Sequence, residues 1–220
     1  MCFSATANFV GSGVLGAVGV VTLTKVKHRR ELLFASLPTL FAFHQFIEGF
    51  VWLGLDGILS KQVVHNMGAA FVLYAQGLLP FIMPLSVMLF ERTRARRRAM
   101  MPFVILGGLL MLYMLWGLAA YPLQVWVQGN SIVYVNRATN MTWVAVLYII
   151  ATCGSLFFSK IPMMVAFGGA NLFILLVVTA VKRYACTSLW CAYAAVASVI
   201  ILAYFWKSRF VRPLNYGEAG

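Results

Sequence analysis

Apolar residues run along this chain in long blocks, each closed by a short polar connection. A helix needs roughly 17 to 25 mostly apolar residues to cross a bilayer. That length predicts seven spans, at about 8–24, 33–54, 66–90, 100–121, 141–158, 162–181 and 187–206. The fifth is the shortest, and the turn SKIP (159–162) that follows it is tight, with Pro162 suited to a first helical turn. Between the fourth and fifth lies the only sizeable connection, PLQVWVQGNSIVYVNRATN (122–140). Its segments VWV and IVYV alternate around Gly129 and Asn130, which predicts a small β-hairpin capping one mouth of the bundle. The fold class expected is therefore all-α: a seven-helix transmembrane bundle, one domain over 1–206 with a short basic tail at 207–220. Neither a linker nor the paired halves of many transporters is visible.

Composition supports a membrane chain. The sequence is 62% hydrophobic and 10% charged, with a mean hydropathy of +0.89. A soluble domain of this size has too much surface to cover with so few charges. The 17 Lys and Arg set the orientation, because 13 of them fall at 25–30, 92–98, 160 and 207–212. The opposite side holds only Lys61, Arg137, Lys182 and Arg183. By the positive-inside rule the N-terminus lies outside and the C-terminus in the cytoplasm. The net charge of +12 is thus a topology signal with some anionic-lipid contact, not a nucleic-acid signal. No Lys or Arg precedes Lys25, so the first apolar stretch is read as a retained span rather than a signal peptide. A cell membrane, that of a bacterium, is the expected home.

The second span carries the chemistry that stands out. Within HQFIEGFVW (44–52), His44 and Glu48 fall on one helical face with Phe41 and Trp52, and Gln45 lies to the side. A charge at bilayer depth costs at least about 2.5 to 3.5 kcal/mol. Glu48 therefore needs a proton or a partner, and His44 is the nearest candidate. The pair either locks two helices together or serves a proton-exchanging or ligand-binding pocket that opens outward. Tyr74 and Gln76 in the third span, with Pro80 and Pro84 after them, offer further lining. Pro80 removes the backbone bond to the Gln76 carbonyl, predicting a kink with a spare acceptor. Asn171, in FGGANL, is another mid-depth polar group, and Gly168 and Gly169 would admit a close neighbour.

Four cysteines in a chain this long make no disulfide scaffold. Cys153 sits inside a span as a small apolar filler. Cys2, Cys186 and Cys191 all fall on the outer side, where a disulfide is natural, Cys2 with either of the other two. A soft-metal site is the sharper alternative: removal of Met1 would leave an amine and a thiol on Cys2, with Cys191 or His65 as added ligands. Unlinked thiols are the third possibility, and His65 is otherwise an interfacial residue. Without a mid-depth lysine there is no retinal Schiff base, and His44 and His65 differ too much in depth to share a haem. No P-loop, GxGxxG, GxSxG or HExxH occurs, so no nucleotide or hydrolase chemistry is indicated.

The stretches MCFSATANF (1–9), QFIEGFVWLGL (45–55), LPFIMPLSVMLFE (79–91), VLYIIATCGSLFFS (146–159) and LWCAYAAVASVIIL (189–202) resemble a family of bacterial multi-pass membrane proteins that begin Met-Cys-Phe-Ser. The resemblance runs nearly end to end. It implies a fold and a membrane home, lends no reaction, and singles out Cys2, Gln45, Glu48, Trp52, Trp190 and Cys191. It also implies glutamine at the position of His44 in many relatives, which favours Glu48 as the working residue. Two function classes are expected: binding of a small ligand or metal, sensor-like and redox-linked, in a pocket around Glu48, or proton-coupled transport of a small solute. A membrane enzyme is third, because no nucleophile, base and orienting group stand together. The partners expected are the bilayer and a small ligand, with a homo-oligomer compatible.

Overall fold

A computed structural model describes residues 4–181 and 186–211, with side chains placed for 4–174 and 193–207. The chain is mostly helical. Its long helices are α1 (Ala5–Leu23), α2 (Leu37–Leu55), α3 (Lys61–Phe90), α4 (Arg94–Ala120), α5 (Thr142–Phe157), α6 (Pro162–Val181) and α7 (Cys186–Val211). Strands β1 (Gln124–Gln128) and β2 (Ser131–Val135) form an antiparallel pair between α4 and α5. Three helices, α1, α3 and α4, are long and apolar enough to cross a membrane. Thr142–Phe157, Pro162–Ile174 and Tyr193–Lys207 are apolar but shorter over the described residues. Helix α2 has the length, at 19 residues, yet His44, Gln45 and Glu48 pull its hydropathy down. The seven expected segments thus reappear as seven long helices, while length and composition single out three.

Ser4 starts α1 as its cap, accepting a hydrogen bond from the Ala7 amide at 3.2 Å. Helix α1 then packs antiparallel on α2. Ser12 donates to the Ala42 carbonyl at 2.8 Å, Gly16 faces Ala42, and Gly19 lies so close to Thr39 that a side chain there would strike its backbone. Before α2, the turns Arg29–Glu31 and Leu32–Ala35 replace the helix expected from residue 33, and Pro38 sits in the first turn of α2.

Helix α3 departs from expectation. Rather than a simple kink at Pro80, six residues, Leu73–Leu78, form a π-turn in which the Leu79 amide reaches back to the Tyr74 carbonyl. The wider turn absorbs the backbone disruption that a mid-helix proline imposes. Opposite it, Gly107 of α4 brings its backbone against the Pro80 carbonyl.

The two ends of the bundle differ. At one, β1 and β2 pair from Gln124 with Val135 to Gln128 with Ser131, leaving Gly129 and Asn130 as the turn. Gly129 has φ +62°, the first-position conformation of a II′ turn, which glycine adopts without strain. This is the hairpin expected from the alternation. At the other end the basic segments gather around two buried glutamates. Glu91 accepts from the Arg92 amide at 3.0 Å, the Lys160 amide at 3.2 Å and the Ser159 hydroxyl at 3.3 Å, tying the α3–α4 connection to the α5–α6 connection. Arg97 reaches the free carbonyls at the end of α3, bonding Glu91 at 3.0 Å, Met88 at 3.2 Å and Leu89 at 3.3 Å. Replacing Glu91 with glutamine turns one charge-assisted acceptor into a donor facing two donors. We expect a thermal midpoint lowered by the equivalent of about 2 kcal/mol, read by melting of the full chain in detergent.

Candidate functional site

One face of α2 supplies most of the site. His44, Gln45, Glu48 and Trp52 are all buried, Glu48 fully and Gln45 to 1% exposure. The helix can hold them because α1, α3 and the hairpin cover that face. Phe9 of α1 lies against Gly49, where an added side-chain carbon would come within 2.8 Å of its ring. Given the antiparallel pairing of α1 with α2, Asn8 is level with the turn of α2 that carries Glu48 and Trp52. Asn8 is fully buried; its amide nitrogen donates to the Ser4 carbonyl at 3.1 Å, and its Oδ1 accepts nothing among the described residues.

The hairpin completes the site. Ile132 is buried with Trp52 and Val51, and Tyr134 packs on the same cluster. The Tyr134 ring stacks on Phe71 at 4.6 Å between centroids, and Phe71 stacks on His44 at 4.0 Å. Tyr74 lies on the far side of His44, with centroids 5.3 Å apart. The Tyr134 hydroxyl is buried and unpaired among the described residues. Its phenol is pushed well above its ordinary range, first by burial and then by the charge of the nearby Glu48.

These contacts revise the expected His44–Glu48 pair. His44 is held in the aromatic column between Phe71 and Tyr74, and its Nε2 has no partner among the described residues. The histidine therefore fixes α2 to α3, and the two ionisable groups do not join by a hydrogen bond. Tyr74 is likewise structural, donating to the Leu40 carbonyl at 2.8 Å. Gln76 sits in the π-turn, half-buried, with its side-chain oxygen unpaired. Asn171 belongs elsewhere: its amide donates to the Cys153 sulfur at 3.3 Å, joining α6 to α5. Of the glycines before it, Gly168 lies against Leu156, where an added Cβ would come within 2.8 Å of the Leu156 Cβ, whereas Gly169 faces open space. His65 is exposed on the first turns of α3. Cys2 and the side chains of Cys186, Trp190 and Cys191 lie outside the described residues. Among the described residues no three metal-ligating side chains cluster.

A family model matches residues 1–215. The chain belongs to DUF6629, a family of unknown function. No curated protein and no solved structure matches it. The match embraces every element described, from the α1 cap to the end of α7, and brings no chemistry with it.

The site's chemistry must come from its own atoms. Among the described residues Gln45 leaves both its amide nitrogen and its oxygen unpaired, and Trp52 its indole N–H. With Asn8 Oδ1, His44 Nε2 and the Tyr134 hydroxyl, donors and acceptors are mixed at the hairpin end of the bundle. Among the described residues neither Lys nor Arg is buried. An unpaired buried polar group costs about 1 to 3 kcal/mol, and several in one region are unusual in a core. Sequence reading missed Asn8 and Tyr134. Asn8 had a signal, as an isolated amide in a helix of small residues. Tyr134 had none beyond its place in an alternating strand.

Proposed function

We propose that this chain is a seven-span membrane protein, N-terminus outside, that binds a small polar solute, neutral or cationic, between α1, α2 and the outer hairpin. Membrane residence is supported by the outward faces of the helices: Val10, Val14, Leu109, Leu112 and Phe173 are each more than half exposed. A soluble surface does not carry so many large apolar groups in rows. The seven-span reading adds the shorter apolar helices and the polar-bearing α2 to the three long ones. The charge asymmetry along the chain sets the direction.

Gln45 carries the binding reading. It is buried to 1% exposure, neither of its amide atoms has a partner among the described residues, and it lies within one helical turn of Glu48. A core selected only for stability would place a leucine or methionine there. Gln45→Leu should therefore raise the thermal midpoint of the purified full chain. It should also abolish any shift that small amides, amines or polyols produce in the wild type. A lower midpoint for Gln45→Leu would show the amide to be structural and sink the reading.

Transport is the second reading, favoured by the π-turn of α3, a register fault that permits one half of a helix to turn against the other. Proton flux in proteoliposomes, lost on Glu48→Gln, is its expected signature. Flux unchanged by that substitution removes Glu48 from it. The soft-metal and disulfide alternatives rest on Cys2, Cys186 and Cys191.

A further inference from the structure

We infer that the basic end of the bundle is a binding site for the phosphate headgroup of an acidic phospholipid, built from Arg30 and Arg94 on a pedestal made by Arg97. Resting on the membrane reading above, this inference goes further by naming a lipid class and the residues that select it. The fold brings two distant segments together here. The turn Arg29–Glu31 packs against the end of α3, where Arg97 is fixed by three carbonyls. Partly buried there, Arg97 feels the like charges of Arg30 and Arg94 and the opposite charge of Glu91.

Arg30 and Arg94, 64 residues apart in the sequence, are thus gathered at one exposed place, where an anion from outside would lower their mutual repulsion. The two carboxylates of this end, Glu31 and Glu91, are buried beneath the arginines' exposed surface. Glu31 is buried and accepts from the Lys27 amide at 3.1 Å and the His28 amide at 3.4 Å. Glu91 is buried and committed to Arg92, Ser159 and Lys160. Arg30 and Arg94 are themselves exposed. The result is an outward-facing positive cradle at the level where a bilayer presents phosphates, and planar guanidinium forks suit a phosphate's oxygens.

The full chain, purified in detergent, is titrated with phosphatidylglycerol, phosphatidylcholine or inorganic phosphate, and the thermal midpoint is followed. Phosphatidylglycerol is expected to stabilise the protein at concentrations where the other two do nothing. In R30Q/R94Q its apparent affinity should fall on the order of twentyfold, while K61Q/R137Q, with the same charge removed at the other end, should bind as the wild type does. Equal stabilisation by phosphatidylcholine, equal stabilisation by phosphate alone, or equal loss in both double variants would each overturn the inference. Alkaline carbonate extraction of the expressed chain separates this outcome from failure of the membrane reading. A chain released by carbonate defeats that reading itself, and a retained chain without lipid preference defeats only the headgroup site.

Discussion

Gly107→Ala is expected to prevent the chain from reaching a stable folded state, although it adds a single carbon to the middle of a helix. A Cβ at Gly107 would strike the carbonyl oxygen of Pro80 and lie 2.6 Å from its carbonyl carbon and 2.8 Å from the Phe81 Cα. All three atoms are backbone, so no rotamer change relieves the clash, and α3 and α4 must separate along their contact. Backbone displacement of that kind in a packed core costs several kcal/mol, on the order of the whole stability of a domain. The neighbour supplies the control. A Cβ at Gly108 meets only the Phe81 ring, at 3.6 Å, an ordinary contact. Gly108→Ala should be stable, gaining about 0.5 to 1 kcal/mol of helix propensity. Expression level and monodispersity in detergent distinguish the two. Equal behaviour of both variants would show that α3 and α4 are not pressed together at Pro80.

This contact also shows where sequence reading ends. The pair Gly107-Gly108 reads the same from the sequence at both positions, and only the neighbouring helix makes one indispensable. Pro80 announced that α3 would be disturbed, and the disturbance is there, but whether a helix answers a proline with a kink or a π-turn depends on what packs against it. Local signals fared better. The alternation around Gly129 gave the hairpin and its turn, because a two-residue turn is decided by its own backbone. The buried face of α2 was legible from its spacing, since burying Glu48 and Gln45 requires helices around them whatever their arrangement. The choice of partner was not. His44 stacked on Phe71 rather than bonding Glu48, and Glu31 and Glu91, which look like ordinary loop charges among arginines, became the buried ties of the basic end. Asn8 and Tyr134 joined the site by tertiary packing, from 40 residues before Glu48 and 86 after it.

Asn136→Ala is expected to loosen the hairpin from the bundle and with it the roof of the site. Asn136 is 1% exposed and spends its whole side chain on backbone groups. Its amide nitrogen donates to the carbonyls of Tyr121 at 2.9 Å and Gly117 at 3.2 Å, at the end of α4. Its Oδ1 accepts from the amides of Ala138 at 2.9 Å and Thr139 at 3.3 Å. Alanine leaves the Tyr121 carbonyl and the Ala138 amide without these partners, whereas the Gly117 carbonyl keeps its bond from the Tyr121 amide and the Thr139 amide its bond to the carbonyl of residue 136. At about 1 kcal/mol or somewhat more for each, the cost is on the order of 2 to 3 kcal/mol. The loss is local before it is global, because Asn136 directly follows β2, whose Tyr134 lies over Phe71 and His44. Amide exchange across Gln124–Val135 should therefore quicken well before α2 and α3 lose protection. Trp126→Ala, altering an exposed hairpin side chain, should leave that exchange unchanged. If Asn136→Ala instead melts all helices together, the hairpin is part of the core's cooperative unit and not a separable cover. The distinction bears on the binding reading: Tyr134 covers the Phe71–His44 stack beside the site, and a hairpin that opens independently provides a way in.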